Sequence, residues 1–178
     1  MNKKFAIVVL PIIMLACNFL FPPRTSTSQP SGMENPQQAV ERTEYDGFTV
    51  VRLHPNDGNL QSMLAVEAQH AVSQGKMPVV EFDATWCPPC RAIDNAIASK
   101  DKLMLDAYRG TYIIKLDVDE WDWKNGKVKN FRFIGIPVYF KLDEKGKQTG
   151  EVIDGGAWGE DIPKNIAPVL DEFFHESN

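Results

Sequence analysis

The hydrophobic positions of this chain switch between strand-like runs and helical periodicity from residue 44 onward. Short apolar runs bounded by turn residues predict strands at Phe48–Leu53, Met77–Phe82, Tyr112–Leu116, Val138–Leu142 and Gly150–Asp154. Apolar residues recurring every three or four positions predict helices over Leu60–Val72, after Cys87, over Leu103–Tyr108 and from Ile162 to Phe174. This order predicts an α/β domain in which helices cover both faces of a mixed sheet.

The first 43 residues do not share this pattern. Residues 1–17 combine a short basic start, an apolar stretch and Cys17, which is the layout of an export signal. Residues 18–43 are rich in Pro, Ser, Thr and Gln and predict a disordered, extended tether. The folded domain is therefore expected to span residues 44–176.

The end of the predicted signal, Met14-Leu15-Ala16-Cys17, resembles the lipobox of bacterial lipoproteins. The resemblance implies that Cys17 is lipidated and attaches the protein to a membrane of the bacterial periplasm or cell envelope. An uncleaved anchor and ordinary secretion remain open. All three arrangements place the domain outside the cytoplasm.

Composition and charge narrow the possible partners. An apolar fraction of 43% is ordinary for a globular protein, and a length of 178 residues suggests one domain with appendages. The formal charge of −5 argues against binding to nucleic acid and against electrostatic adhesion to anionic lipid.

The segment Trp86-Cys87-Pro88-Pro89-Cys90 carries the candidate chemistry. If Cys87 caps the following helix, the helix dipole and the N–H of Cys90 stabilise its thiolate. Pro88 and Pro89 then fill the first two helical positions, where proline is tolerated. The pair can close to a disulfide and reopen, which predicts thiol–disulfide exchange with an exposed Cys87 as nucleophile and a more buried Cys90 as resolving thiol.

Three other uses of a Cys-x-x-Cys pair compete with this interpretation. Structural zinc needs four ligands, but Cys17 is the only other cysteine and the three histidines are isolated in the sequence. Haem attachment needs a histidine where Arg91 stands. A purely structural disulfide would close a very small loop and stabilise little. No metal and no other cofactor is therefore expected.

The element order, with Cys-x-x-Cys between the second strand and the second helix, is similar to that of the thioredoxin superfamily over Tyr45 to Phe174. Gly135-Ile136-Pro137 resembles the family's cis-proline loop, and Gly155-Gly156 resembles its glycine turn. The resemblance implies a thioredoxin fold with a cis-proline loop beside the N-terminus of the cysteine helix. It also implies the substrate-binding residues Trp86, Ile136, Pro137, Gly155 and Gly156. An ordinary strand-initiating proline is the alternative for Pro137.

Two charged residues also match the family. Glu81 stands six positions before Cys87, where thioredoxins carry a buried acid, and Lys115 matches the lysine beside that acid. In an apolar strand the pKa of Glu81 should be raised, so that it can exchange a proton with Cys90. Because side chains alternate along a strand, both residues pointing to solvent is the alternative.

The acidic and aromatic segment Asp117–Trp123 should emerge at the same sheet edge as Cys87. This segment either contributes to partner selection or packs its tryptophans on the domain's own surface. The same two alternatives apply to Trp158.

Together these features predict an extracytoplasmic thiol–disulfide oxidoreductase that reduces protein disulfides, as Trp86 and Ile136 are like those of reducing thioredoxins. The expected partners are disulfide-containing extracytoplasmic proteins and a membrane thiol-electron donor, because the chain has no nicotinamide or flavin motif. An oxidant or isomerase of secreted proteins, a copper metallochaperone and an interaction module with idle cysteines are the alternatives.

Overall fold

The computed structural model describes residues 40–125 and 128–176. Over these residues the strands are β1 (Glu41–Glu44), β2 (Thr49–Arg52), β3 (Met77–Asp83), β4 (Thr111–Asp117), β5 (Val138–Leu142) and β6 (Gln148–Asp154). The α-helices over the same residues are α1 (Leu60–Ser73), α2 (Pro88–Ala98), α3 (Lys102–Tyr108) and α4 (Pro163–His175). The predicted signal with Cys17, and the tether as far as residue 39, lie outside the described residues.

The strands form one mixed sheet in the order β1-β2-β4-β3-β5-β6. Strand β3 is central, parallel to β4 on one side and antiparallel to β5 on the other. Its side chains alternate between two cores: Val80 packs with Leu64 of α1, whereas Val79 packs with Ile93 of α2 and Ile166 of α4. The predicted thioredoxin fold, with helices on both faces, is confirmed.

Strand β1 corrects the predicted start of the domain at residue 44. It pairs antiparallel with β2, and all of its residues are exposed, so its sequence carries no apolar signal. Side-chain contacts hold it instead: the Arg42 guanidinium donates to Glu67 at 2.7 Å and to the Tyr112 hydroxyl at 2.9 Å. The end of the predicted tether therefore belongs to the sheet.

Two of the tryptophans pack within the domain. Trp121 is buried and donates from its indole N–H to the carbonyl of Leu53 at 3.0 Å. Trp158 is buried as well and donates to Asp161 at 3.1 Å. Packing on the domain's own surface is thus the correct interpretation for these two.

Candidate functional site

Helix α2 begins at the cysteine pair, as the sequence predicts. Cys87 is its N-cap, and the Cys87 Sγ accepts a hydrogen bond from the Cys90 N–H at 3.2 Å. Prolines occupy the first two helical positions, where the missing N–H groups cost nothing. The two sulfurs are joined in a disulfide. The helix end therefore supplies both a hydrogen-bond donor and a favourable dipole to the Cys87 sulfur.

The predicted contrast between an exposed Cys87 and a buried Cys90 is wrong for this disulfide form. Each cysteine is only 1% exposed, although the neighbouring Trp86 is 57% exposed. Cys87 Sγ lies 3.7 Å from the carbonyl oxygen of Ile136, so the loop before Pro137 covers the sulfur.

The cis-proline loop and the glycine turn meet beside the disulfide. The Ile136–Pro137 peptide bond is cis, as the resemblance implied. Gly155 donates its N–H to the Pro137 carbonyl at 2.9 Å, and a Cβ on Gly155 would lie 3.2 Å from Pro137 Cδ. Gly156 donates to the Asp154 carboxylate at 2.9 Å. A side chain at Gly155 would press on Pro137, so the close approach favours glycine there.

An open groove of about 330 Å³ runs along the exposed side of the site. It is lined by Trp86, Val118, Asp119, Trp123, Lys124, Ile134, Gly135 and Ile136. Trp86 donates from its indole N–H to Asp119 at 2.6 Å, which fixes one wall. Ile134, on the opposite loop, is 96% exposed. The groove therefore presents apolar surface next to Cys87.

The contribution of Ile134 to this groove was not predicted, because an isolated exposed apolar residue belongs to no helical or strand periodicity. The only available signal was the apolar run Phe131-Arg132-Phe133-Ile134 immediately before the Gly-Ile-Pro sequence.

A row of charged residues crosses the sheet on the face that carries α2. In the strand register Arg52 lies opposite Lys115, Lys115 opposite Glu81, and Glu81 opposite Tyr139. Like charges directly opposite each other destabilise a sheet. Asp83 offsets this repulsion, because it binds Arg52 through both oxygens at 3.0 and 2.6 Å and lies 3.0 Å from Lys115 Nζ.

Glu81 and Lys115 are buried in this row, so the solvent-facing alternative is wrong. Lys115 Nζ lies 3.3 Å from Glu81 Oε1, yet among the described residues Oε1 has no hydrogen-bond partner. Burial raises the pKa of Glu81 to about 7; the Lys115 charge opposes the rise, whereas Asp83 and Asp94 add to it. Glu81 is thus an acid that changes charge near neutral pH.

Asp83 and Lys115 respond differently to the same surroundings. Burial alone would raise the pKa of Asp83, but the Arg52 hydrogen bonds and the Lys115 charge outweigh it and the pKa is lowered. Burial alone would lower the pKa of Lys115, but Glu81, Asp83 and Asp94 outweigh it and the pKa is raised. Lys115 and Asp83 therefore stay charged near neutral pH while Glu81 titrates.

Arg52, Asp83 and Asp94 were missed at the sequence level. Their contacts depend on strand register and on the position of α2, and neither can be read from local patterns. Among the described residues, no three His, Cys, Asp or Glu side chains are grouped so that they could hold a metal ion.

The family model described as Thioredoxin matches residues 61–168. Thioredoxin H2 of Arabidopsis thaliana is 35% identical over 94 residues, which are 53% of this chain and 63% of that protein. Thioredoxin-like protein HCF164, chloroplastic, of Oryza sativa subsp. japonica is 29% identical over 115 residues, which are 65% of this chain and 39% of that protein. The chain thus spans less than two thirds of either relative.

Among solved structures, Trichomonas vaginalis thioredoxin is 21% identical with a TM-score of 0.43, and the match covers 70% of this chain and 96% of that chain.

The variant Glu81→Gln should change how stability depends on pH. An acid whose pKa is raised from 4.5 to about 7 stabilises the fold below pH 4.5 and loses that contribution as the pH rises through about 7. Between about pH 5 and pH 8, the wild-type free energy of unfolding should fall more than that of the variant, by on the order of 2 kcal/mol. Urea denaturation of the disulfide forms measures this difference.

The variant Asp83→Asn should change the pH dependence of the free energy of unfolding in the opposite direction. The pKa of Asp83 is lowered, so the ionised carboxylate stabilises the fold at pH values above its ordinary pKa, and this stabilisation is lost as the pH falls. Asp83→Asn should therefore destabilise the protein most near neutral pH. Identical pH profiles for wild type and Glu81→Gln would contradict the assignment of Glu81 as the titrating acid.

Proposed function

This chain belongs to the thioredoxin family, and from that premise we propose that it is a thiol–disulfide oxidoreductase that reduces disulfides of extracytoplasmic client proteins. The observation that carries the proposal is the position of Cys87. Its sulfur caps α2, accepts the Cys90 N–H and lies beside both the Ile136 carbonyl and an exposed apolar groove.

The reaction begins with the reduced dithiol. The Cys87 thiolate, stabilised by the helix terminus, attacks one sulfur of the client disulfide and forms a mixed disulfide. The other client sulfur leaves as a thiolate and takes a proton from water. The Cys90 thiol then loses its proton, attacks Cys87 Sγ and releases the second client thiolate. Two electrons pass to the client, and the Cys87–Cys90 disulfide remains.

Glu81 is the proposed acceptor of the Cys90 proton. A carboxylate with a pKa of about 7 is matched to proton transfer at neutral pH. Lys115 keeps a positive charge beside it and supports its ionised form. Each cycle ends when an external dithiol reduces the Cys87–Cys90 disulfide, a role that suits a membrane thiol-electron donor.

The proposed location rests on residues 1–17, whose basic start, apolar stretch and lipobox-like Cys17 resemble an export signal. Over residues 40–125 and 128–176, no helix has the length and apolar character needed to cross a bilayer. The proposed attachment is a lipid on Cys17, because Met14-Leu15-Ala16-Cys17 resembles a lipobox.

Cysteine variants test the proposed reaction. Cys87→Ser should abolish disulfide reduction in an insulin-precipitation assay driven by dithiothreitol. Cys90→Ser should retain the first attack and accumulate mixed disulfides on Cys87, visible on non-reducing gels of cell extracts. Failure of the wild type to accelerate insulin reduction, combined with a potential in glutathione buffer as high as that of an oxidant, would favour the oxidant or isomerase function instead.

Ile134→Asp tests the groove. A charge in the apolar wall should weaken binding of protein clients and raise KM several-fold for a folded disulfide protein. The rate with a small disulfide reagent should hardly change, because that reagent needs little of the groove. Val66→Asp is the matched control, since Val66 is an exposed apolar residue of α1 outside the groove. Equal effects of both substitutions would remove the groove from client binding.

Cys17→Ser tests the lipid anchor. In a bacterial host the wild type should fractionate with membranes and take up labelled palmitate, and the variant should do neither. A wild type that stays in the soluble fraction would contradict lipidation while leaving the redox proposal intact.

A further inference from the structure

Asp94 of α2 makes a contact that the proposed reaction does not use. Its Oδ1 accepts a hydrogen bond from Lys115 Nζ at 2.5 Å, although its side chain is 50% exposed. A half-exposed carboxylate thus reaches into the buried charge row from the helix that carries the cysteines. Asp94 and Cys90 are four positions apart on α2, so they share one face of the helix about one turn apart.

The Lys115 ammonium is shared unequally among its three acids. It lies 2.5 Å from Asp94, 3.0 Å from Asp83 and 3.3 Å from Glu81. It donates a hydrogen bond to Asp94, whereas Glu81 Oε1 has no hydrogen-bond partner among the described residues. A buried carboxylate oxygen without a donor is costly. The arrangement therefore keeps the ammonium close to the other two acids at the expense of Glu81.

We propose that Asp94 is a positioning residue that draws the Lys115 ammonium away from Glu81, so that Glu81 is free to accept the Cys90 proton in the resolving step instead of remaining in a closed ion pair. This inference rests on the proposed function. The step itself is unchanged: the proton moves from Cys90 Sγ to a Glu81 oxygen, and the new thiolate attacks Cys87 Sγ and expels the client thiolate.

Other groups face Glu81 from each neighbouring element. These are Lys115 of β4, Asp83 of β3, Arg52 of β2, Asp94 of α2, Tyr108 of α3 and Tyr139 of β5. Asp83 is tied to Arg52 by two hydrogen bonds, so its position is set independently of Asp94. The two tyrosines are hydrogen-bonded to each other at 2.9 Å, and burial raises the pKa of both well above the ordinary value, so they stay neutral. Asp94 is the most exposed member of the set, with half of its side chain accessible against 26% for Arg52, so its substitution should disturb the fold least.

Asp94→Asn is the test. Without the carboxylate, Lys115 should move toward Glu81 and favour its ionised form, as an opposite charge within hydrogen-bond distance lowers the pKa of an acid by about 1–3 units. Reduced protein mixed with excess 5,5′-dithiobis(2-nitrobenzoate) releases a first thionitrobenzoate on attack by Cys87 and a second on resolution by Cys90. The pH midpoint of the second, first-order release should fall by about one unit in Asp94→Asn.

A control variant can keep a negative charge on α2 while removing the hydrogen bond to Lys115. It tells whether Asp94 acts by positioning the ammonium or only through its charge. Asn95 is the next residue of α2 and is exposed. The double variant Asp94→Asn, Asn95→Asp restores the net charge of the helix but not the hydrogen bond to Lys115. Its midpoint should stay at the lowered value of Asp94→Asn. A return to the wild-type midpoint would overturn the positioning role.

Carbon-13 NMR titration of the Glu81 carboxyl gives a readout independent of catalysis, with Glu81→Gln supplying the assignment. The midpoint should fall in Asp94→Asn in both redox forms. Unchanged NMR and release midpoints would overturn the inference while leaving disulfide reduction by the wild type untouched. If the wild type did not catalyse insulin reduction, the proposed function would be refuted. The NMR titration would still decide whether Asp94 controls the pKa of Glu81.

Discussion

The register of β3 against its two neighbours is the constraint from which the site follows. Glu81 lies opposite Lys115 in β4 and opposite Tyr139 in β5, and Phe82 lies opposite Val138. Because of this pairing, the end of β3 that leads to the cysteines lies beside the start of β5, which directly follows the cis-proline. A shift of one residue would turn every side chain of β3 to the other face and move Glu81 away from α2. The same hydrogen bonds therefore place the reactive sulfurs and the buried acid.

The buried charge row is better explained by chemistry than by stability. Removing ions from water costs several kcal/mol each, and a buried ion pair returns that cost only with good geometry and full hydrogen bonding. Arg52 and Asp83 have such geometry, with two hydrogen bonds between them. Glu81 does not, because one of its oxygens lacks a donor among the described residues. An incompletely satisfied acid inside an otherwise well-paired cluster is the arrangement expected of a group that must change charge.

Local chemistry explains which parts could be predicted from the sequence. The helix start at Cys87 and the loop at Pro137 are specified by short segments whose residue types limit the backbone, so their predicted forms agree with the structure. Strand β1 escaped prediction because it is polar throughout and depends on Arg42 reaching Glu67. The burial of Cys87 escaped prediction because the Ile136 carbonyl approaches it from a distant part of the chain. Contacts between distant segments carry no local signal.

In the proposed reaction, the client would bind at the groove, whereas the proton would move within the buried charge row. The groove is lined by Trp86 and Ile136, and both lie beside Cys87: Trp86 precedes it in the chain, and the Ile136 carbonyl oxygen is 3.7 Å from its sulfur. The charge row lies under the next turn of the helix, where Asp94 connects buried Lys115 to solvent. A bound client would cover the groove and exclude water there, yet it would leave Asp94 uncovered because Asp94 does not line the groove. In the proposed reaction, a bound client therefore leaves the contact between Asp94 and Lys115 intact while the mixed disulfide awaits resolution by Cys90.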